Sequence, residues 1–569
     1  MDDKRNLILA VALAAIILFG WPYLANQFFP TANPPATQIE GGEQTALPAP
    51  EIDPAPDSPG AMRARRSVIG ETARIPIQTP RLTGSINLTG ARIDDVVLTG
   101  YRESLEANAP PIHLFSPAGT KGAYYAGLGW SGQGLNGPDG NTVWKASGSR
   151  LTPTTPVTLF HDNGRGQVFE ISYAIDRNYM ITATQRVTNR GTGAVGASPY
   201  AYVNRVGLPA EEDSWTIHIG PMGVFDAGAD YDTDYDDLAE LGVNGRTMTT
   251  TGGWLGFTDK YWLGAVIPDQ KQRVDASFRA GVNDLYQANF SHAQRVLAPG
   301  KSLTTTSRIF AGAKETALLD NYEDALDIRM LDRSIDWGWF YWFEKPIFYL
   351  LDWLFKLFGN FGGAIIALTF IIRGLMFPIA QRQFRSMAQM RVVQPKMKAI
   401  QERHKDDKPR MQQEIMALYK TEKVNPLAGC LPLVLQIPIF YALYKVLMLT
   451  IEMRHQPFAL WIKDLSAPDP LHVLNLFGLL PFTVPAFLGI GVLAILLGVT
   501  MWLQFKLNPQ ATDPVQAQVF AIMPWILMFV MAPFAAGLLI YWITSNIITI
   551  AQQKLLYSRY PGMTAAVAK

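Results

Sequence analysis

The rhythm of apolar and polar residues changes several times along the chain, and each rhythm predicts a different element. Residues 7–19 are uninterrupted apolar after Lys4 and Arg5, and the run continues through Trp21, Tyr23, Leu24, Phe28 and Phe29. At about 1.5 Å per residue, the stretch 7–29 is long enough to span roughly 30 Å of hydrocarbon. No small-x-small cleavage site closes it, which favours a retained anchor at 1–29 over a removed signal. A linker follows at 30–66: eight of the 31 residues in 30–60 are proline, mixed with Ala, Gly, Gln and acids, too little apolar surface to fold. Over 67–330 the period becomes two. Phe169, Ile171, Tyr173 and Ile175 alternate with polar neighbours, as do Ile86 and Leu88, with Gly, Asn, Asp and Pro between short runs. That pattern predicts a large all-β sandwich. In 337–358, eleven of 22 residues are aromatic, mixed with Glu344, Lys345, Asp352 and Lys356. Rings with polar edges prefer the headgroup boundary, so 331–360 reads as an interfacial amphipathic helix.

Apolar segments then repeat. The reading places span 2 at 361–381, span 3 at 424–450, span 4 at 472–503 with an extended outer end, and spans 5 and 6 in 519–553. The stretch 515–553 runs 39 residues without a charge, with Pro533 and Gly537 near its middle, so it divides into two helices. With the anchor this makes a membrane α-helical bundle of six spans beside the all-β sandwich. Charge sets the orientation. Segment 381–425 carries eleven Lys/Arg and five acids; loop 451–471 carries two basic residues and three acids; 551–569 carries three basic residues and no acid. The hairpin 382–423, the loop 504–518, the short basic tail 554–569 and both termini are therefore expected in the cytoplasm, and the β domain and 451–471 outside. Over the whole chain, 49 Lys+Arg against 48 Asp+Glu argue against a surface that grips nucleic acid, and the single cysteine, Cys430, excludes an intramolecular disulfide or a multi-cysteine metal site.

The sharpest candidate for chemistry is Arg373, midway along an otherwise uncharged segment. A central arginine costs about 2.5–3.5 kcal/mol to insert, so it implies a paired acid, a wet cavity or a functional demand. No other spanning segment supplies an acid; snorkelling toward Arg382 and Arg385 is the alternative. Thr369 lies one helical turn before Arg373 and shares its face. Gln436 lies within the third span and Asn425 opens it; Thr544, Ser545 and Asn546 lie in the last. Each suits a helix–helix hydrogen bond as well as a polar cavity. In the hairpin, Met387, Met390, Val393, Met397 and Ile400, then Met411, Ile415 and Leu418, follow helical spacing around the turn HKDDKP. These residues can pack two helices together. With Arg403, Lys405 and Lys408 they can also present a Met-rich basic recruitment surface.

Other motifs fail. GLGWSG at 127–132 leads into QGLNGPDG rather than a helix, so it is no dinucleotide loop; GKS at 300–302 has Arg295 where a P-loop needs glycine. The run Asp230, Asp232, Asp234, Asp236 has Tyr235 at the turn position and Leu241 at the closing position of a calcium loop. No nucleophile–base constellation or metal set emerges, so neither an enzyme nor a cofactor is expected.

The stretches TFIIRGLMFPIA, QFRSMAQMRVVQPKMKAIQERHKDDKPRMQQEIMALYKTEKVNPLAGCLPLVLQIPIFYALYKVL, PFALWIKDLSAPDP and GLLIYWITSNIITIAQQ resemble the YidC family of membrane-protein insertases, over most of 361–560. The anchor and β domain resemble its long Gram-negative form. The resemblance implies a five-helix core with a hydrophilic groove open to cytoplasm and lipid, lined by the arginine matched here by Arg373, in the bacterial inner membrane. It implies nascent membrane proteins as clients, the lipid bilayer as medium, and the Sec translocon, ribosome and signal-recognition receptor as partners, without sequence-specific nucleic-acid binding. It also points to Tyr541 as a substrate contact, with Trp542 standing where a second tyrosine is expected. The insertion at 472–490, with Pro481 and Pro485, and the short tail depart from the pattern. A channel or secondary transporter, and an assembly scaffold, are the other function classes that such spans could serve.

Overall fold

The computed structural model describes residues 63–209, 217–405, 407–422, 431–477, 479–480, 484, 489–507 and 514–558. The anchor and nearly all of the linker lie outside these residues. The chain divides into two compact units, one ending at Asp336 and one beginning at Trp337.

The first unit consists of two antiparallel sheets, of ten and nine strands. The ten-stranded sheet runs Arg74–Gln78, Leu82–Asn87, Arg92–Arg102, Tyr124–Ser131, Val195–Val206, Leu285–His292, Arg273–Ala280, Arg246–Thr251, with Pro111–Phe115 and Arg295–Leu297 paired alongside. The nine-stranded sheet centres on Ser302–Ala313, Met180–Asn189 and Gln167–Ile175. Alternation decides which side faces inward: Phe169, Ile171, Tyr173 and Ile175 are all buried. Their register is set by pairs such as Phe169 with Val187 and Tyr173 with Ala183. Side chains bridge the sheets. The Trp130 and Phe169 rings lie 5.2 Å apart, Tyr173 donates to the Ala91 carbonyl at 3.2 Å, and Gln185 donates to the Gly129 carbonyl at 2.9 Å. Tyr124 donates to the Phe257 carbonyl at 3.0 Å, and a Cβ on Gly264 would lie 2.3 Å from that hydroxyl. Glu315, just before the helix Thr316–Leu326, gathers three distant donors: Tyr101 at 2.9 Å, Tyr179 at 3.0 Å and Arg81 at 2.6 Å.

The second unit is helical. Its described helices are α1 Tyr341–Phe358, α2 Phe361–Leu375, α3 Phe377–Arg403, α4 Lys408–Thr421, α5 Leu431–Leu449, α6 Val492–Leu507, α7 Pro514–Met531 and α8 Ala536–Ser558. Two 3-10 turns, Leu331–Ser334 and Gly338–Phe340, occupy the start of the expected 331–360 helix. α1 buries Ile347, Phe348, Leu351 and Leu354, while Trp342 and Trp353 on its other side are 62% and 57% exposed. It stops at Gly359, whose φ of 66° few other residues adopt. Asn360 then starts α2 by accepting the Gly363 N–H at 2.9 Å.

Among the described residues, no helix is long and apolar enough to cross a membrane. Two expected spans are shorter as helices than as apolar runs. The 361–381 segment breaks at Met376, because Pro378 in the first turn of α3 has no N–H to continue α2. In the expected span at 472–503, the described helix begins at Val492, where Asp469 Oδ2 accepts the Leu493 N–H at 2.8 Å. The 519–553 segment divides at 532–535, around Pro533. There the N–H groups of Ala536 and Gly537, at the start of α8, donate to the Ala467 and Leu465 carbonyls at 2.8 and 2.9 Å.

Candidate polar site between α2, α5 and α8

Two of the closing helices bring Arg373 and Ser545 together. α2 packs on α8, and the Arg373 Nε–H donates to Ser545 Oγ at 2.8 Å, with an Nη2–H donating to the same oxygen. Of the five N–H groups of a guanidinium, these take two. Among the described residues, no carboxylate pairs with Arg373. One helical turn before Ser545, Tyr541 accepts a hydrogen bond from Gln436 Nε2 at 2.7 Å, from α5. Ser545 and Tyr541 are both buried. Arg373, Ser545, Tyr541 and Gln436 thus form a polar line joining α2, α8 and α5. The other three residues contribute hydroxyl or amide groups, so the only full charge in the cluster is the positive one of Arg373.

The remaining predicted residues go elsewhere. Thr369 is fully buried, and its hydroxyl returns to the Ile365 carbonyl of its own helix at 2.7 Å. That back-bond uses the hydroxyl's one proton, and Thr369 makes no hydrogen bond to the line among the described residues although it shares a helix with Arg373. Asn546 turns the other way and donates to Thr500 Oγ1 of α6 at 3.1 Å. Successive helical residues are about 100° apart, so Ser545 and Asn546 serve different neighbours. Trp542 packs its ring against Phe440 of α5 at 4.8 Å. Asn425 lies outside the described residues.

In the hairpin, Met397 is only 4% exposed and packs with Val393 against Leu418 and Tyr419. It closes the seam between α3 and α4, so as a member of an outward recruitment surface it is a correction. Arg403 and Lys405 are exposed. The side chains of Met387, Met390 and Lys408 lie outside the described ones. Lys396 and Glu422 bridge the two arms at 2.6 Å.

Sequence reasoning missed the clip around Asp469. This residue is 1% exposed; its Oδ1 accepts from Trp461 Nε1 and the Leu471 N–H at 3.0 Å each, and its Oδ2 caps α6. Its partners lie up to 24 residues away, and no local spacing announces them. It also missed two buried charges, Glu344 on α1 and Lys445 on α5. The one available signal was the lone lysine closing an apolar run.

Two family descriptions match the chain in tandem. YidC periplasmic domain matches residues 74–350, and 60Kd inner membrane protein matches residues 353–563. The chain is 48% identical over 564 residues to Membrane protein insertase YidC of Zymomonas mobilis subsp. mobilis, covering 98% of this chain and 96% of that protein. It is 45% identical over 577 residues to the protein of the same name from Methylobacterium nodulans, covering 98% and 95%. A crystal structure described as an active YidC insertase with the first transmembrane domain resolved aligns with 84% of this chain and 91% of that one, at 17% identity and a TM-score of 0.35.

Proposed function

The chain belongs to the YidC family of membrane protein insertases and inserts proteins into a bacterial inner membrane, and from that premise we propose that Arg373 draws polar segments of incoming chains part-way across the bilayer. The physical difficulty of insertion is that a translocated segment loses water around its backbone and charges. A wet surface within the bilayer shortens the dry part of the path. The observation that carries the reading is the bonding of Arg373: its guanidinium is held by a neutral hydroxyl, with no carboxylate of the described chain to cancel it. A passing acidic residue at 4 Å, in an effective dielectric near 20, would gain about 4 kcal/mol before desolvation. Gln436, Tyr541 and Ser545 line the same path with hydrogen-bonding groups, and Trp542 borders it. Once the polar segment has crossed, the client's apolar helix passes α5 and α7 into lipid. Nothing in this cycle needs nucleotide or a covalent intermediate.

The six-span arrangement, with both termini in the cytoplasm, belongs to this proposal. α2, at 15 residues, rises about 22 Å, less than the roughly 30 Å of a typical hydrocarbon core. Short helices favour a locally thinned bilayer, which further shortens the route. The exposed basic end of α3 is suited to receive clients delivered by the ribosome, the signal-recognition receptor or the Sec translocon.

The test is insertion of a single-span client with an acidic translocated tail into vesicles containing the purified chain. Arg373→Ala should lower insertion about tenfold, corresponding to about 1.4 kcal/mol, and Arg373→Lys should retain part of it by keeping the charge. A client whose tail acids are changed to Asn should depend less on Arg373. Equal yields from wild type and Arg373→Ala, at equal protein levels, would remove the charge-attraction step.

A further inference from the structure

Two side chains of opposite charge are buried in the helices α1 and α5, which pack on each other. Glu344, in the first turn of α1, has no exposed surface, and Lys445 of α5 keeps 2%. Lys445 is the one charged residue in Leu431–Leu449. On α1, the partly covered Asp352 bonds the exposed Lys356 at 2.6 Å, so Glu344 is the fully buried acid of that helix. The lysine ammonium sits beside the entry to α1: a Cβ placed on Gly338 would lie 3.8 Å from its Cε and 3.9 Å from its Nζ. A cation there meets the positive end of the helix dipole, and an acid in the first turn offsets that repulsion. Phe340, at the same entry, packs on Tyr441, one turn before Lys445, with ring centroids 6.2 Å apart.

We propose that Glu344 and Lys445 neutralise each other as a buried charge pair that fixes the rotation and register of α1 on α5. Either charge buried alone would be strongly unfavourable, and together they lower that cost only in one alignment. α5 is apolar around most of its circumference, so its greasy surface selects no single face for α1. A matched polar pair in an apolar interface supplies that choice, as a lone polar position does in a coiled coil. The outcome is the outward presentation of Trp342 and Trp353. This inference does not rest on the role given to Arg373.

The experiment uses the full chain with Cys430→Ser, Phe340→Cys and Tyr441→Cys, joined by a short bis-maleimide. Crosslinking should be efficient in that background. Glu344→Gln or Lys445→Met alone should reduce the yield about fivefold, the effect of about 1 kcal/mol. Exchanging the charges, Glu344→Lys with Lys445→Glu, should restore at least half of it. The neutral pair, Glu344→Gln with Lys445→Met, should lose less than the two singles combined, because no charge remains buried. Unchanged yield in the singles, or doubles as poor as the singles multiplied together, overturns the proposal. If a single variant does not fold, the doubles decide: folded and crosslinked doubles support the pair, and unfolded doubles refute it.

Discussion

Ser545 bears on the arginine as much as any client would. It accepts two N–H groups of Arg373 and fixes the direction of the guanidinium plane. Ser545→Ala should leave that plane free to swing, so insertion of an acidic-tailed client should fall to between wild type and Arg373→Ala, while Ser545→Thr, which keeps the hydroxyl, should stay near wild type. Vesicle insertion at matched protein levels measures both. Asp469 is a purely structural counterpart. Its two oxygens face three donors, so Asp469→Asn turns an NH2 toward at least one of them. The expected loss is about 2–3 kcal/mol of stability, read as a lower unfolding midpoint in detergent. A third residue gives the β unit a pH dependence. Burial lowers the His292 pKa to about 4 from its ordinary 6.5, and its Nε2 has no hydrogen-bond partner among the described residues. Between those values the unfolded chain binds a proton that the folded chain refuses. Stability is therefore complete above about pH 6.5 and falls as the pH drops toward 4, by up to about 3 kcal/mol. Urea midpoints at pH 7 and 4.5 should differ less in His292→Leu than in wild type.

At the scale of elements, periodicity located the hairpin but not the duty of each methionine in it. The spacing of Val393, Met397 and Leu418 is that of a helix seam, and those residues do meet, whereas Arg403 and Lys405 stay outside. Met397→Ala should open a void between α3 and α4, costing about 2–3 kcal/mol, and should speed protease cleavage within 377–421; Arg403→Ala should not. Apolar runs were a poorer guide to helix ends. The run 361–381 carries no acid, yet Pro378 divides it, and an absent N–H is invisible to a hydropathy count. The polar site was half legible for a related reason. A lone arginine in an apolar segment is conspicuous, and Gln436, Tyr541 and Ser545 were all candidates. Which of them would meet depended on rotation about three helix axes, which sent Asn546 to Thr500 and Thr369 back to its own backbone.

Across the whole molecule, alternation announced a large all-β domain, whose strands run from Arg74 to Ala313, but period two says nothing about which strands are neighbours. The contacts that settle the order reach far along the chain: Glu315 holds Tyr101 and Arg81 across 214 and 234 residues. The two units each have a core of their own. The insertion step proposed for α2, α5 and α8 uses no residue of the sandwich. Deleting residues 63–326 should therefore leave vesicle insertion of a single-span client at more than half of the wild-type yield; abolished insertion by a stable deletion product would place an essential part of the reaction in the sheets.

The hydroxyl that holds Arg373 also bears on turnover. A guanidinium clasped by a carboxylate would have to trade one anion for another each time a client arrived, and the resident acid would compete for its return. A neutral clasp sets no such rival. Under the proposed charge-attraction step, a visiting acid would be welcomed by an unspent charge, and when it moved on the arginine would already be in its starting posture, so the same site would serve client after client without a separate resetting event.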